Sequence, residues 1–296
     1  MSSSPKDPAR DSAPDAAPQH AAAQHAAPEP GDTLDAIRAT AVQIARAAGE
    51  TLLAGFREPL DVRHKGIIDL VTDFDLRSEA VIVEALRREF PAHRVVAEEG
   101  GGSERGAQED DLVWYVDPLD GTTNFAHGHP FFAVSMGLYR GAEGLVGVVV
   151  APALGVCWEA RRGGGALRNG VPCRVAEAER LEDTIVATGF PYDVRDNPDD
   201  NTAEFRAFLR HTRGVRRCGS AALDLAMVAD GTYGLYWEQR LKAWDMAAGA
   251  LLVLEAGGRL SDYGGGLADP RTGRLVASNG PLHSEALAVL AAARTP

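Results

Sequence analysis

The stretch LVWYVDPLDGTTNFAHG, residues 112–128, places two aspartates at the end of an apolar run. Asp117 and Asp120 leave this run, and Gly-Thr-Thr follows them directly. Two unrelated chemistries of phosphoryl transfer place aspartates before Gly-Thr at a strand end. One uses an aspartate as the covalent nucleophile, and the other uses aspartates to hold metal ions. A tight turn without chemical function is the third interpretation.

The spacing of the two aspartates argues against the covalent chemistry. That class needs Asp-x-Asp, because residues i and i+2 of a strand point to the same side. Here the spacing is Asp-x-x-Asp, so we expect the strand to stop and Pro118 to begin a turn that brings the carboxylates together. Asp73 and Asp75 do form Asp-x-Asp, but Arg77 stands where the covalent class has a small residue.

Acidic residues at other predicted strand ends favour the metal interpretation. Glu98 and Glu99 follow the predicted strand RVVA, and Asp245 begins a predicted helix. Hard divalent cations take oxygen ligands, and in sites with two ions roughly 3.5–4 Å apart one carboxylate commonly bridges them. Taken alone, Asp245 would also serve as a helix cap.

Composition and charge exclude several functions. The chain has 296 residues, a net charge of −12 and a sequence pI of about 5.1, which argues against non-specific binding of nucleic acid. Its three cysteines form no Cys-x-x-Cys pair, as expected in a reducing cytoplasm. The sequence contains no run of about 18 apolar residues, so no membrane-spanning helix is predicted. The motifs of P-loop enzymes, zinc proteases, serine hydrolases and dinucleotide-binding folds are missing from the sequence.

The composition of residues 1–31 predicts a disordered tail, and the pattern of the remaining chain predicts two halves. Residues 32–183 form an α+β half, and residues 184–296 form an α/β half. We expect helices at 34–56, 76–90, 199–213, from 219, near 245 and from 283. Strands are expected at 94–97 and 112–116, followed by a four-part meander with an Asn169-Gly170 hairpin. Beyond residue 183 we expect strands that alternate with the helices.

Several segments in register resemble the inositol monophosphatase family, the Mg²⁺-dependent, lithium-sensitive phosphomonoesterases. The first family signature is similar to DPLDGTTNF, and the second is similar to WDMAAGALLVLEAGG. Further segments in the family's order are KGIIDLVTDFD, AEEG, ATGFPYD and GSAALDLAMVADG. The resemblance covers about residues 34–290. It implies a layered α-β-α-β-α sandwich of the sugar-phosphatase type shared with fructose-bisphosphatase.

The resemblance implies two to three Mg²⁺ ions in the site. Glu98, Asp117 and the carbonyl oxygen of Leu119 would hold the first ion. Asp117, Asp120 and Asp245 would hold the second, with Asp117 as the bridge. A third ion would lie near Glu98, largely on water.

The resemblance also implies how water and phosphate are handled. Thr122 and Asp75 would orient and deprotonate the attacking water. The phosphate would meet the backbone N–H groups of Gly121 and Thr122, where a helix N-terminus favours an anion. Lys65 matches a family lysine that adds positive charge, or it is an ordinary solvated lysine. Asp75 could otherwise be the N-cap of the following helix.

The substrate is predicted from a second group of residues. In the resembling enzymes, sugar hydroxyls meet the second-metal aspartate, here Asp120, a backbone amide of the Gly219-Ser220-Ala221 segment, and a glutamate that corresponds to Glu238. A carboxylate there selects polyols, which favours inositol 1-phosphate. Fructose 1,6-bisphosphate, histidinol phosphate and 3′-phosphoadenosine 5′-phosphate remain alternatives. Glu238 could instead pair with Arg240 or Lys242 on the surface.

The sequence departs from the family pattern at two positions. Ala97 replaces a glycine that the family often has before the paired glutamates, and Asp73 adds a charge beside Asp75. A non-catalytic binding or regulatory protein would have lost a metal ligand or Thr122, and none is lost here. The resemblance further implies a homodimer that acts on a small phosphate monoester, while the cysteine count favours the cytoplasm.

Overall fold

The fold is described from a computed structural model, which covers Met1 and residues 33–58, 62–64, 70–100, 110–267 and 273–294. Residues 2–31 of the predicted tail lie outside these ranges, as does Lys65. From Asp32 onward the chain forms one compact unit. The division of this unit into halves at residue 183 stays a prediction. Within the described residues, no helix is both long and apolar enough to cross a membrane.

The described residues contain seven α-helices, and the first of them follows the predicted apolar stripe. They are α1 Leu34–Gly55, α2 Asp73–Glu89, α3 Thr122–Ala126, α4 Thr202–Phe208, α5 Ala221–Ala229, α6 Ala243–Glu255 and α7 Gly280–Ala293. Short 3₁₀ turns lie at Pro152–Leu154 and Leu181–Asp183.

The strands fall into three groups along the chain. They are β1 Val62–His64, β2 Leu70–Thr72, β3 Arg94–Ala97, β4 Leu112–Asp120, β5 Ala133–Arg140, β6 Glu143–Ala151, β7 Val156–Arg161, β8 Ala166–Arg168, β9 Val171–Cys173, β10 Ile185–Thr188, β11 Gly214–Arg216, β12 Leu235–Gln239, β13 Arg259–Ser261 and β14 Arg274–Ser278.

Helix α2 begins three residues before its predicted start. Its N-cap is Thr72, whose hydroxyl accepts from the N–H of Phe74, while Asp75 accepts from the N–H of Thr72. These reciprocal bonds form a capping box. The alternative with Asp75 as the N-cap is therefore wrong. Asp75 lies inside the first turn, where its carboxylate turns back toward the cap.

Two other helices differ in length from the prediction, and one short helix was not predicted. Helix α4 is shorter than 199–213, and α7 begins at Gly280 because Asn279 caps it by accepting from the N–H of Leu282 at 2.9 Å. Helix α3 was not predicted. Its five residues are too few to show a helical repeat in the sequence.

The described residues include two large sheets. The seven-stranded sheet has the order β3-β4-β5-β6-β7-β8-β9, in which β3 and β4 are parallel and the other neighbours are antiparallel. The predicted hairpin is confirmed, since Asn169 and Gly170 both have positive φ between β8 and β9. The five-stranded sheet has the order β11-β10-β12-β14-β13.

The helices separate and cover the two sheets. Helices α1 and α2 pack on one face of the seven-stranded sheet, and α6 packs on the other face. Helix α5 contacts α6 and the five-stranded sheet, while α7 packs against the five-stranded sheet and α4 against α7. Separate apolar clusters fill the spaces between these layers. The five layers confirm the predicted α-β-α-β-α sandwich.

Candidate active site

A β-bulge brings Asp117 and Asp120 to one side of the sheet. Strand β4 continues to Asp120, so the expected stop at Pro118 is wrong. Asp117 pairs with Ser135 and Asp120 pairs with Ala133, with a register shift between the two pairs. Ser135 and Ala133 are two residues apart and share a face of β5, so the two aspartates opposite them share that face as well.

Gly121 turns the chain from the bulge into α3. Its φ of 95° lies in the left-handed region, which favours glycine. A Cβ here would lie 3.0 Å from the carbonyl oxygen of Phe131 and 3.3 Å from that of Gly219. The close approach of backbone therefore also requires glycine. Thr122 follows as the first residue of α3, where backbone N–H groups lack helical partners.

Thr122 and Asp75 are in contact. The Thr122 hydroxyl lies 2.9 Å from Asp75 Oδ1 and 3.1 Å from the carbonyl oxygen of Leu119. Asp75 is buried, and its Oδ2 accepts from both the N–H and the hydroxyl of Thr72, at 2.8 and 2.6 Å. Burial raises the pKa of Asp75, and the hydrogen bonds from Thr72 and Thr122 oppose that rise.

Asp120 joins the bulge to the start of α5. Its Oδ2 accepts from the hydroxyl of Ser220 at 2.6 Å and from the N–H of Ala222 at 2.7 Å. Burial raises the pKa of Asp120 to about 6, while the bonds from Ser220 and the α5 backbone act in the opposite direction. The structure therefore places the Gly219-Ser220-Ala221 segment beside the bulge.

Glu98 and Asp245 reach the same region from other elements. The N–H of Glu98 donates to the carbonyl oxygen of Val116 at 3.2 Å, which sets Glu98 beside the part of β4 that contains Val116 and Asp117. Asp245 lies in the first turn of α6, and its Oδ2 accepts from the N–H of Lys242 at 2.6 Å.

The four carboxylates influence one another electrostatically. Burial raises the pKa of Asp117 well above its usual range, and the charges of Glu98, Asp120 and Asp245 raise it further. Burial also raises the pKa of Asp245, and the hydrogen bond from the N–H of Lys242 opposes that rise. The charges of Asp120 and Glu98 raise the pKa of Asp245 further. The predicted ligands thus lie within electrostatic reach of one another.

The chemistry of this donor set fits a divalent cation. In the part of the chain that the structure describes, no group of three or more acidic, histidine or cysteine side chains forms a metal cage as it stands. One oxygen of Asp117 instead accepts from the N–H of Leu119 at 3.0 Å, and Asp120 and Asp245 also bond to backbone. Buried carboxylates of like charge are unfavourable together, and a cation with oxygen ligands offsets that cost.

Glu238 lies near this cluster at the end of β12. Its Oε2 accepts from the hydroxyl of Tyr236 at 2.6 Å. Burial raises the pKa of Glu238 to about 7, and the nearby charge of Asp120 raises it as well, while the Tyr236 hydrogen bond and Arg217 act in the opposite direction. Arg240 forms an ion pair with Asp193, so the suggested surface pair between Glu238 and Arg240 is not observed.

Asp224 was missed in the sequence. It is the one charged residue of α5, it is buried, and its Oδ1 has no hydrogen-bond partner among the described residues. Burial raises its pKa well above the usual range, as do the charges of Glu238 and Asp120. A charged residue inside an otherwise apolar helix was the available signal.

Comparison with known proteins identifies the family of the chain. The model of the inositol monophosphatase family matches residues 33–295. The chain is 43% identical over 255 residues to phosphatase IMPL1, chloroplastic, of Arabidopsis thaliana, covering 84% of this chain and 68% of that protein. It is 43% identical over 245 residues to Nus factor SuhB of Pseudomonas aeruginosa, covering 81% and 90%.

An enzyme and a solved structure from cyanobacteria are also similar. The inositol-1-monophosphatase of Synechocystis is 41% identical over 253 residues, with 85% of this chain and 88% of that protein covered. The structure of inositol monophosphatase from Anabaena superposes with a TM-score of 0.80 at 40% identity, covering 88% and 96%. The chain therefore belongs to the inositol monophosphatase family, and it is a phosphoric monoester hydrolase.

Proposed function

We propose that this hydrolase is a Mg²⁺-dependent phosphatase of small phosphate monoesters that prefers inositol 1-phosphate. The observation that carries the proposal is that the Thr122 hydroxyl contacts Asp75 at 2.9 Å. Beside this pair, Asp117 lies within electrostatic reach of Glu98, Asp120 and Asp245. Relatives named inositol-1-monophosphatase, at 41% and 42% identity, support the substrate.

Glu98, Asp117, Asp120 and Asp245, with the carbonyl oxygen of Leu119, would hold two to three Mg²⁺ ions. When bound, Mg²⁺ lowers the pKa of a coordinated water and neutralises charge on the leaving oxygen. The protein's own residues then have to position the phosphate and remove a proton. The N–H groups of Gly121 and Thr122 would bind the phosphate oxygens.

Thr122 and Asp75 supply the path for that proton. The Thr122 hydroxyl accepts the proton of the attacking water and passes its own proton to Asp75 Oδ1, 2.9 Å away. Glu98 would assist the removal of the proton by holding the ion that coordinates the attacking water. The water oxygen then attacks phosphorus in line as the bond from phosphorus to the ester oxygen breaks. The ester oxygen leaves and takes up a proton from solvent to give the alcohol, and no covalent enzyme intermediate forms.

Asp120, the Gly219-Ser220-Ala221 segment and Glu238 would bind the alcohol portion of the substrate. A polyol supplies hydroxyl donors for two carboxylates, whereas a substrate without hydroxyls leaves them unpaired. Fructose 1,6-bisphosphate also carries hydroxyls and stays an alternative substrate, as do histidinol phosphate and 3′-phosphoadenosine 5′-phosphate.

Phosphate release from these four compounds at equal concentration tests the substrate. We expect inositol 1-phosphate to have the highest kcat/KM, with Mg²⁺ dependence and inhibition by lithium. A higher kcat/KM for histidinol phosphate would contradict the substrate while leaving the mechanism intact. Absence of Mg²⁺-dependent release from all four would favour the non-catalytic alternative, a binding or regulatory protein.

A relative named Nus factor SuhB is 43% identical to this chain, so a regulatory binding role is a second candidate. The retained Thr122–Asp75 pair and the complete set of predicted ligands favour catalysis as the main role. We also propose a homodimer, from the family resemblance alone, and a cytoplasmic location, from the three cysteines that form no Cys-x-x-Cys pair. Light scattering after size-exclusion chromatography tests the dimer.

A further inference from the structure

Gly189 follows β10 directly, and the space around it, not its backbone conformation, requires glycine. It is buried, and its φ is not positive, so an alanine backbone would fit there without strain. A Cβ at this position would, however, collide with both carboxylate oxygens and the carboxyl carbon of Glu238. The carboxylate of Glu238 therefore occupies the space that a side chain at position 189 would need.

The pairing of β10 with β12 sets this contact. The two strands are parallel, with Thr188 opposite Trp237. Gly189 follows Thr188 and Glu238 follows Trp237, so these two residues are neighbours. The hydroxyl of Thr188 also donates to the carbonyl oxygen of Trp237 at 2.6 Å. Neither strand end can slide past the other without breaking this bond.

Asn201 fixes the backbone of Gly189 from the other side. Its Nδ2 donates to the carbonyl oxygen of Gly189 at 2.7 Å and to the Thr188 hydroxyl at 2.8 Å. Its Oδ1 accepts from Nε1 of Trp237 at 2.8 Å. Asn201 is buried, so loss of these bonds would leave its amide unsatisfied. The Gly189 backbone is thus held and does not retreat easily from a larger side chain.

Tyr236 completes the enclosure of the Glu238 carboxylate. Its hydroxyl donates to Oε2 of Glu238 at 2.6 Å, and Tyr236 itself is fully buried. The carboxylate is therefore tethered on one side by Tyr236 and lies over the bare Cα of Gly189 on another.

We propose that Gly189 is a positioning residue that determines specificity, because its missing side chain leaves the space from which the Glu238 carboxylate meets the hydroxyls of a polyol phosphate. This inference rests on the proposed function in so far as Glu238 contacts the polyol. Gly189 itself does not touch the substrate. Any side chain at position 189 turns Glu238 away and weakens the selection for hydroxylated substrates.

The kinetic test compares Gly189→Ala with the wild type on two substrates. Inositol 1-phosphate offers hydroxyls to Glu238, and phenyl phosphate offers none. We expect kcat/KM for inositol 1-phosphate to fall about tenfold or more, mainly through KM, since hydrogen bonds to a charged group are lost. For phenyl phosphate, we expect kcat/KM of Gly189→Ala to stay within about twofold of the wild-type value. Gly280→Ala is the matched control, because a Cβ there meets nothing within 4 Å.

A second substitution separates positioning from general damage. Glu238→Asp shortens the side chain by one carbon–carbon bond, about 1.5 Å, and so withdraws the carboxylate from an alanine at position 189. We expect Glu238→Asp alone to lower kcat/KM for inositol 1-phosphate, but to raise it when added to Gly189→Ala. Equal losses on both substrates, or no loss on either, would overturn the inference.

A crystal structure of Gly189→Ala tests the positioning whatever the substrate is. We expect the Glu238 carboxylate to move by roughly 1 Å or more and its bond from Tyr236 to lengthen, because non-bonded carbon and oxygen atoms need about 3.5 Å. If wild-type protein does not prefer inositol 1-phosphate, the proposed substrate fails, while a displaced Glu238 still supports the inference. An unmoved Glu238 would contradict it.

Discussion

The hydroxyl of Thr122 lies between two acceptors, Asp75 Oδ1 at 2.9 Å and the carbonyl oxygen of Leu119 at 3.1 Å. A hydroxyl has one proton and two lone pairs, so it accepts from a third group while it donates to Asp75. Asp75 is held in turn by two hydrogen bonds from Thr72. These contacts connect a partly exposed hydroxyl to a buried carboxylate, as a proton path requires.

Thr122→Ala removes this path. We expect kcat for phosphate release to fall by about 10²–10⁴, the usual contribution of a general base, with little change in Mg²⁺ affinity. Thr122→Ser is the matched control, because it keeps the hydroxyl, and it should retain most of the activity. An alanine variant as active as the serine variant would remove Thr122 from the mechanism.

His283 is a second single residue with a measurable consequence. It is fully buried in α7, with Nε2 2.7 Å from the Ser261 hydroxyl and Nδ1 2.8 Å from the Ser278 hydroxyl. It thus ties α7 to β13 and β14. Burial lowers the pKa of His283 to about 4, and the charge of Arg259 lowers it further.

The lowered pKa of His283 predicts sensitivity to acid. The unfolded chain, with a histidine pKa of about 6.5, takes up the proton before the folded chain does. The stabilising effect is therefore complete above about pH 6.5 and is lost as the pH falls toward 4, by on the order of 3 kcal/mol.

His283→Gln keeps hydrogen-bonding groups and cannot titrate, so it serves as the comparison. We expect its free energy of unfolding, measured in urea from pH 7.5 to 4.5, to decline less steeply than that of the wild type. Parallel curves would show that His283 does not carry this pH dependence.

At the scale of elements, α6 lies unusually close to the seven-stranded sheet. A Cβ on Gly147 would be 2.7 Å from the carbonyl oxygen of Ala248, and a Cβ on Gly137 would be 2.7 Å from Cβ of Ala247. Two glycines therefore let the helix rest on the strands. The same helix carries Asp245 in its first turn, so its distance from the sheet sets where that carboxylate lies.

Gly147→Ala should push α6 away from the sheet. Overpacking of a filled core costs about 1–3 kcal/mol, so we expect a lower melting temperature. Because Asp245 moves with α6, the Mg²⁺ concentration for half-maximal activity should rise. Gly280→Ala, at an open position, should change neither quantity. Loss of stability with unchanged Mg²⁺ dependence would separate α6 packing from the metal site.

Much of the element pattern was predictable, because apolar stripes and turn signals are local properties. The strand over 94–97, helix α1 and the Asn169-Gly170 hairpin were predicted correctly. The bulge in β4 was not, since it is defined by pairing with β5. The contact of Gly189 with Glu238 joins two strands distant in sequence, so the glycine alone gave no signal for it.

At the scale of the molecule, the candidate site joins parts of the chain that are distant in sequence. Asp120, in the seven-stranded sheet, accepts from Ser220 and Ala222 at the start of α5. Asn124 adds a second connection, since its Nδ2 donates to the carbonyl oxygen of Cys218 at 2.8 Å. The predicted ligands could be named from the family resemblance, whereas the buried Asp224 beside them required the three-dimensional arrangement.

Binding of Mg²⁺ should stabilise the whole fold, because the ligands come together only in the folded chain. At 100 times Kd the stabilisation is about 2.7 kcal/mol, which raises the melting temperature measurably by calorimetry. Asp117→Asn should lose most of this increase, and without Mg²⁺ it should melt above the wild type, since one buried charge is gone. An equal Mg²⁺ shift in both proteins would place the ion elsewhere.

The most direct test of the account is phosphate release from inositol 1-phosphate by metal-stripped protein as Mg²⁺ is returned. We predict no release without the ion, recovery with Mg²⁺, and a loss of about 10³-fold or more in Asp117→Asn at saturating Mg²⁺. Release that continues without a divalent cation, or that survives in Asp117→Asn, would contradict the assignment of these carboxylates as the catalytic metal site.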